Sequence, residues 1–338
     1  MLARMAAPLA STALLALAFA GACATCAAAV PGRRLGWGNV AWFLASLAVA
    51  ELAAFHLVLS ALVAWALVAH GALEAWPGQA GLALVVASWP LLALVQWRAR
   101  PTARLLEAAL EAALGAEYAV RIPPARRRAV ASPPSLAGLL RPFGGTTRGI
   151  ERLPDICYGH AHERQRLDLY RPAAGVRNAP VLVQIHGGGW TMGAKDEQGL
   201  PLMRFLAARG WVCCALGYRL CPAQRFPVPL VDCKRALAWI RAHVAEYGGD
   251  PRCVVVTGGS AGAHLASLVA LTPHVRTLQP GFEGADTGVA ACVPLYGIYD
   301  FLDREHARDD GGALTRWLAR TVMPGTPAAD RRLWDLAS

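Results

Sequence analysis

Charge is scarce in this chain of 338 residues: Asp, Glu, Lys and Arg make up 17% of it, and lysine is nearly missing, with two residues against 31 arginines. At 55% hydrophobic and a mean hydropathy of +0.34, the chain is too apolar for a soluble domain throughout, and its length allows one large domain plus an accessory region. A cysteine pattern is also lacking. The nine cysteines are odd in number and scattered: Cys213 and Cys214 are neighbours in a strand and point to opposite faces, while Cys23 and Cys26 lie inside apolar sequence. That excludes a zinc site and a disulfide framework, and it suits a reducing compartment. The net charge of +10 comes with no nucleic-acid motif, so no nucleic-acid partner is expected.

The apolar excess lies before residue 100. Leu9 to Val30 is apolar for 22 residues, Val40 to Val68 holds only Glu51 and His56 as ionisable groups, and Ala80 to Trp97 adds 18 residues. At about 1.5 Å per residue each can cross about 30 Å of hydrocarbon, the last only just. Residues 1–100 are therefore expected to hold about three transmembrane helices, with Trp37, Trp42, Trp65, Trp76, Trp89 and Trp97 mainly near segment ends as interfacial anchors. The first segment reads as a retained anchor or as a signal peptide, because Arg4 precedes it and small residues surround Cys23 and Cys26.

Two spans separate Arg33 and Arg34 from Arg98, Arg100 and Arg104, and the turn from His70 to Gln79 has no Lys or Arg. The positive-inside rule then places both clusters, and all that follows, in the cytoplasm of a multi-pass protein of the inner or plasma membrane. Glu51 and His56 are expected to face neighbouring helices or a polar gap. Residues 101–150 read as an amphipathic helix, Thr102 to Tyr118, with Leu106, Leu110 and Leu114 in line, then a proline-rich linker, Ile122 to Pro142, containing Arg126, Arg127 and Arg128. The helix is a candidate membrane-surface or active-site-cap element. Before residue 151, 12 arginines against five acids give +7, a bias that suits anionic headgroups and makes membrane lipids an expected partner.

Residues 151–338 alternate between strand and helix. Gln165 to Tyr170 alternates as a strand, Val181 to His186 is a buried strand, Gly199 to Arg209 a helix and Trp211 to Leu216 a strand. Leu230, Leu237, Ile240, Val244 and Tyr247 mark one helix face before a further strand, Cys253 to Thr257. This rhythm predicts an α/β class with a doubly wound, mostly parallel sheet, whose function lies at the carboxyl ends of its strands.

Two motifs sit at such ends. His186-Gly-Gly-Gly-Trp190 follows one strand, and Gly258-Gly-Ser260-Ala-Gly262 joins another strand to a helix. Small residues on both sides of Ser260 allow a sharp turn that exposes its hydroxyl beside a helix N-terminus. Glycines without Cβ let backbone N–H groups face a cavity, so Gly188, Gly189 and Ala261 are the candidate oxyanion donors, with His186 and Gly187 supporting the loop. Each such donor is typically worth about 3 kcal/mol of transition-state stabilisation.

On these motifs and Tyr296-Gly-Ile-Tyr-Asp300, the chain from about Ile156 onward resembles the α/β-hydrolase superfamily, specifically hormone-sensitive-lipase-like and feruloyl-esterase-like serine esterases. The whole arrangement looks like bacterial membrane-anchored lipase/esterase proteins. The resemblance implies an ester substrate, Ser260 as acyl-accepting nucleophile, and no metal or organic cofactor. It also implies an acid and a histidine on loops after later strands, in that chain order. The sequence reaches Ser338 before those strands are expected, so the hydrolase domain reads as truncated, with Val289 to Leu295 as an apolar edge strand that invites aggregation.

No triad acid or base is assigned. His264 lies one helical turn beyond Ser260 and reads as packing and hydrogen-bonding support; His186 braces the oxyanion loop; His274 and His306 have nothing to orient them; His243 belongs to a distant helix. Asp300 lies one strand too early, and Asp303, Asp309 and Asp310 read as solvated. The expectation is a membrane-anchored carboxylic-ester hydrolase that is nearly inactive as the chain stands. Two alternatives remain open: a non-catalytic membrane-tethered binding protein on a hydrolase scaffold, and a peptidase or amidase of the same fold.

Overall fold

In the computed structural model, residues 2–30, 38–124, 147–308 and 310–338 are described. The expectations for Arg33, Arg34, Trp37, Arg126, Arg127, Arg128 and Asp309 lie outside the described residues. The chain divides into two compact units, residues 1–142 and 143–338.

The first unit is helical: α1 (Leu2–Ala29), α2 (Gly38–Glu51), α3 (Ala53–Ala69), α4 (Trp76–Ala99) and α5 (Thr102–Leu114). Helices α1 and α4 pack closely where α4 has Gly81. A Cβ on Gly81 would lie 2.8 Å from the Leu15 amide nitrogen. Buried Leu14, Ala18, Ala64 and Val85 form one core, and Val49, Ala53, Leu92 and Val95 another. Ala7–Ala29 and Trp76–Leu114 are long and apolar enough to cross a membrane.

The stretch Val40 to Val68, expected as one span, is two helices bent by 90°. Leu52, at φ −115° and ψ 22°, leaves the helical region and resets the direction of the chain. The resulting pieces of 14 and 17 residues are each shorter than the roughly 20 residues a straight span needs. Glu51 is exposed at the bend. The amphipathic helix is present as α5 and ends at Leu114, short of the expected Tyr118. Leu105, Leu106, Leu110 and Leu114 on it are all exposed within this unit.

The second unit is built on a six-stranded sheet: β1 (Ile150–Cys157), β2 (Arg166–Pro172), β3 (Ala179–Ile185), β4 (Val212–Leu216), β5 (Gly249–Gly259) and β6 (Ala291–Leu295), in spatial order β1-β2-β4-β3-β5-β6. Pairings β3/β4, β3/β5 and β5/β6 are parallel, and β1/β2 and β2/β4 antiparallel. The helices are α6 (Leu200–Ala207), α7 (Val228–His243), α8 (Ala261–Leu271), α9 (Ala313–Thr321) and α10 (Arg331–Leu336).

Central β3 is covered on both faces, as its largely apolar run requires. Val181, Val183 and Ile185 enter the main core, and Leu182 joins Met203, Ala207 and Cys213 on the other side. Cys213 and Cys214 fall into these two separate cores, on opposite faces of β4. β6 is the sheet edge among the described residues, and its Val293 and Leu295 are about half exposed. This is the α/β-hydrolase architecture, with β3 and β5 side by side so that their carboxyl ends meet.

Candidate active site

β5 delivers Ser260 through a turn that only small neighbours permit. Ser260 stands at φ 54° and ψ −120°, a conformation that costs a non-glycine residue about 1–3 kcal/mol. Its amide donates to the Leu295 carbonyl (3.0 Å), and its carbonyl accepts from the His264 amide (3.1 Å), so the strained residue is tied to β6 and α8 at once. A Cβ on Gly258 would lie 2.6 Å from the Gly262 and Ile185 carbonyl oxygens, and one on Gly262 only 2.1 Å from the Ile185 oxygen. The glycines two residues either side of Ser260 thus set the distance between α8 and β3.

The loop after β3 is pressed against this turn. A Cβ on Gly187 would lie 2.6 Å from the Gly259 oxygen and 3.4 Å from Ser260 Cβ. Gly188 (φ 116°), Gly189 (φ 59°) and Trp190 (φ 61°) follow in left-handed backbone, and the Thr191 and Met192 amides both donate to the Gly188 carbonyl at 3.1 Å. Among the described residues, the amides of Gly188, Gly189 and Ala261 donate to no protein group, and nothing hydrogen-bonds the Ser260 hydroxyl. The structure therefore presses Gly187 against Gly259 and Ser260, with Gly188 and Gly189 following in the same loop and three amides uncommitted.

Several residues hold the loop that the sequence reading did not single out. Gln198 Oε1 accepts from the Gly187 amide (2.8 Å). The Tyr218 hydroxyl donates to the His186 carbonyl (2.9 Å), and the two rings stack at 4.3 Å. Arg164 donates to the Tyr218 carbonyl (3.0 Å) and to the Gly193 carbonyl. Two residues on, Lys195 reaches the buried Asp168 carboxylate at 2.8 Å, which also accepts from Arg152 Nε (2.9 Å) and the Asp155 amide (3.0 Å). Burial alone would raise the Asp168 pKa, but Lys195, the Asp155 amide and Arg152 outweigh it and hold the carboxyl below its ordinary value. The available signal was rarity. Of the chain's two lysines, Lys195 anchors this loop, and the other, Lys234, is fully buried against the Thr272 carbonyl.

Among the described residues, neither buried histidine hydrogen-bonds Ser260. The His264 ring lies between Trp190 Nε1, 3.2 Å from its Nδ1, and the Ala337 carbonyl, 2.7 Å from its Nε2. An indole only donates, so Nδ1 is the bare acceptor and Nε2 carries the proton. His186 directs Nδ1 to the Gly187 carbonyl (2.8 Å), and its buried Nε2 meets no partner among the described residues. Burial draws both pKa values down to about 4.

The sign of the linkage follows. A folded pKa near 4 against an ordinary value of 6.5 means the unfolded chain binds more protons between those pH values, so stability falls as pH drops through that window. Urea unfolding of the second unit at pH 7 and pH 4.5 is expected to show a loss on the order of 1–3 kcal/mol per histidine. An unchanged midpoint would show that neither ring is kept neutral by the fold.

The remaining acids and histidines do not join the site. The Asp300 carboxylate is engaged by the Leu302 amide (3.0 Å) and the Arg304 guanidinium (2.9 Å). Asp303 and Asp310, expected to be solvated, instead order backbone: Asp303 accepts from the Arg308 amide (3.1 Å), and Asp310 from the Gly312 (2.8 Å) and Leu314 (3.1 Å) amides at the start of α9. Short loops with free N–H groups recruit such carboxylates. His243 pairs with Glu246 (2.9 Å) at the end of α7. His306 is exposed in left-handed backbone, and His274 is exposed too.

A BD-FAE family model matches residues 167–338. The chain is 54% identical over 149 residues to the probable carboxylic ester hydrolase LipM of Mycobacterium tuberculosis, covering 44% of this chain and 35% of that protein. It is 40% identical over 217 residues to the esterase LipQ of the same organism, covering 63% of this chain and 52% of that protein. Among solved structures it is similar to esterase B from Lactobacillus rhamnosis, with a TM-score of 0.48 and 25% identity over 69% of this chain and 70% of that one. The chain thus spans about half, or less, of the length of these two curated relatives.

Proposed function

The chain belongs to the BD-FAE family of α/β-hydrolases, and on that premise we propose that it is a serine carboxylic-ester hydrolase in which Ser260 is the acyl-accepting nucleophile. Ser260 Oγ attacks the ester carbonyl, the amides of Gly188, Gly189 and Ala261 receive the negative charge on oxygen, the alcohol leaves, and water releases the acyl group from the serine. The observation that carries this reading is the uncommitted state of those three amides beside a half-buried, strained serine. His186 and Gly187 brace the loop.

The proton acceptor for Ser260 is not among the described histidines, so within these residues the site supplies the nucleophile and the oxyanion donors without a base. Slow but selective acylation is the expected behaviour. Prolonged incubation with an alkyl fluorophosphonate and peptide mass spectrometry should place the adduct on Ser260 and remove it in Ser260→Ala. Adducts spread over other serines, or none at all, would overturn the assignment. The same uncommitted hydroxyl favours a second reading, a non-catalytic binding protein on this scaffold, which predicts no adduct.

The apolar helices α1 and α4 support membrane anchoring through the first unit, with lipids around it.

A further inference from the structure

The first unit contains a cavity of about 170 Å³ between α1, α3 and α4. Its walls are almost wholly apolar, with Leu14, Ala18, Val63 and Val85 among them, and three polar side chains reach it: His56, Ser60 and Ser88. The protons of the two serines are committed. Ser60 donates to the Leu57 carbonyl (2.9 Å) and accepts from Trp89 Nε1 (3.3 Å), and Ser88 donates to the Val85 carbonyl (2.7 Å).

His56 is not committed. Its ring lies against Gly21, with Nε2 3.5 Å from where a Cβ on that glycine would be, and among the described residues nothing hydrogen-bonds either ring nitrogen. A neutral imidazole offers one donor and one acceptor. An ionisable side chain within apolar helices is costly unless something meets it.

Ser60 and Ser88 have no proton left to give, so of the three polar side chains on the wall only the His56 ring can still donate. An apolar cavity of about 150 Å³ holds benzene, so the space suits a molecule of roughly six to eight heavy atoms. Its one polar group has to meet one ring nitrogen, as donor or acceptor according to the tautomer, and a hydroxyl does either. Leu17 and Leu59, on the cavity wall, are also exposed on the outside of the unit and mark a route of entry from an apolar surrounding.

We propose that this cavity binds a short apolar alcohol, its hydrocarbon against Leu14, Ala18, Val63 and Val85 and its hydroxyl on the His56 ring. The site is separate from Ser260 and does not depend on hydrolysis.

The full chain in lipid nanodiscs, irradiated with a diazirine-bearing alkanol of about seven carbons and mapped by peptide mass spectrometry, should carry adducts on Leu14, Ala18, Val63 or Val85. Unlabelled heptanol should displace the probe about fivefold better than heptane, the advantage one hydrogen bond confers. In His56→Phe, which keeps a ring but removes its nitrogens, that preference should vanish while the adducts stay in the cavity. Ala18→Phe, which fills the space, should lose the adducts with helicity unchanged. Adducts spread equally over outward-facing Leu9, Phe19 and Leu62, or equal competition by heptane and heptanol in the native chain, would overturn the proposal.

Discussion

Assayed with a short p-nitrophenyl ester, the 338-residue chain is expected to turn over about 10⁶-fold more slowly than a serine hydrolase with an intact base, keeping only about 10³–10⁴-fold over water. The deficit comes from the proton on Ser260. At neutral pH a serine hydroxyl is a weak nucleophile unless a neighbour removes that proton. His264 can take none without giving up the Trp190 hydrogen bond, and His186 is turned toward Gly187. Because members of such a unit act together, Ser260→Ala is expected to leave the small residual rate nearly unchanged. A fast native rate that Ser260→Ala abolishes would mean that a base does engage Ser260, and this account of the histidines would be wrong.

The second large effect is structural. Gly262→Ala is expected to destabilise the second unit by at least about 4 kcal/mol, enough to leave much of it unfolded. The new methyl would sit 2.1 Å from the Ile185 oxygen and 2.7 Å from that of His186. Neither atom can retreat, because Ile185 is held between β4 and β5 in the sheet. Helix α8 would have to lift, withdrawing Leu265 and Val269 from the core and carrying Ser260 away from its loop. Gly281→Ala is the control: that glycine, unlike Gly262, is left-handed, at φ 77°, and nothing lies within 4 Å of its added carbon. It should cost about 1 kcal/mol. Thermal unfolding followed by circular dichroism separates the two, and similar losses in both would show that backbone freedom, not contact, decides.

The sheet was legible in the sequence wherever burial is continuous. The runs that became β3, β4 and β5 carry apolar residues on both faces, and the two glycine motifs mark their carboxyl ends. β1 was missed because its burial is irregular, with exposed residues among half-buried ones and a register shift between Leu153 and Ile156. The bend at Leu52 left no trace either, since no proline or glycine occupies it. Within the site, Ser260 and the glycines could be read because sharp turns demand particular residue types. The braces could not: Gln198, Tyr218 and Arg164 act by contacts to backbone carbonyls and amides. His264 finds its partner in the Ala337 carbonyl, 73 residues away, and a carbonyl is the same whatever residue bears it.

The loop from Gly187 to Gly193 is fixed at both feet, by Gln198 and Tyr218 at its start and by Arg164 and Lys195 at its end. Such an arch has no slack for a change of length. One residue inserted among its glycines must break a foot or displace the amides, whereas the same insertion near Gly281 and Gly284, where the backbone stands clear of other atoms, costs only a slightly longer loop. Variation in this unit is therefore confined to substitution at the arch and open to growth at that exposed turn.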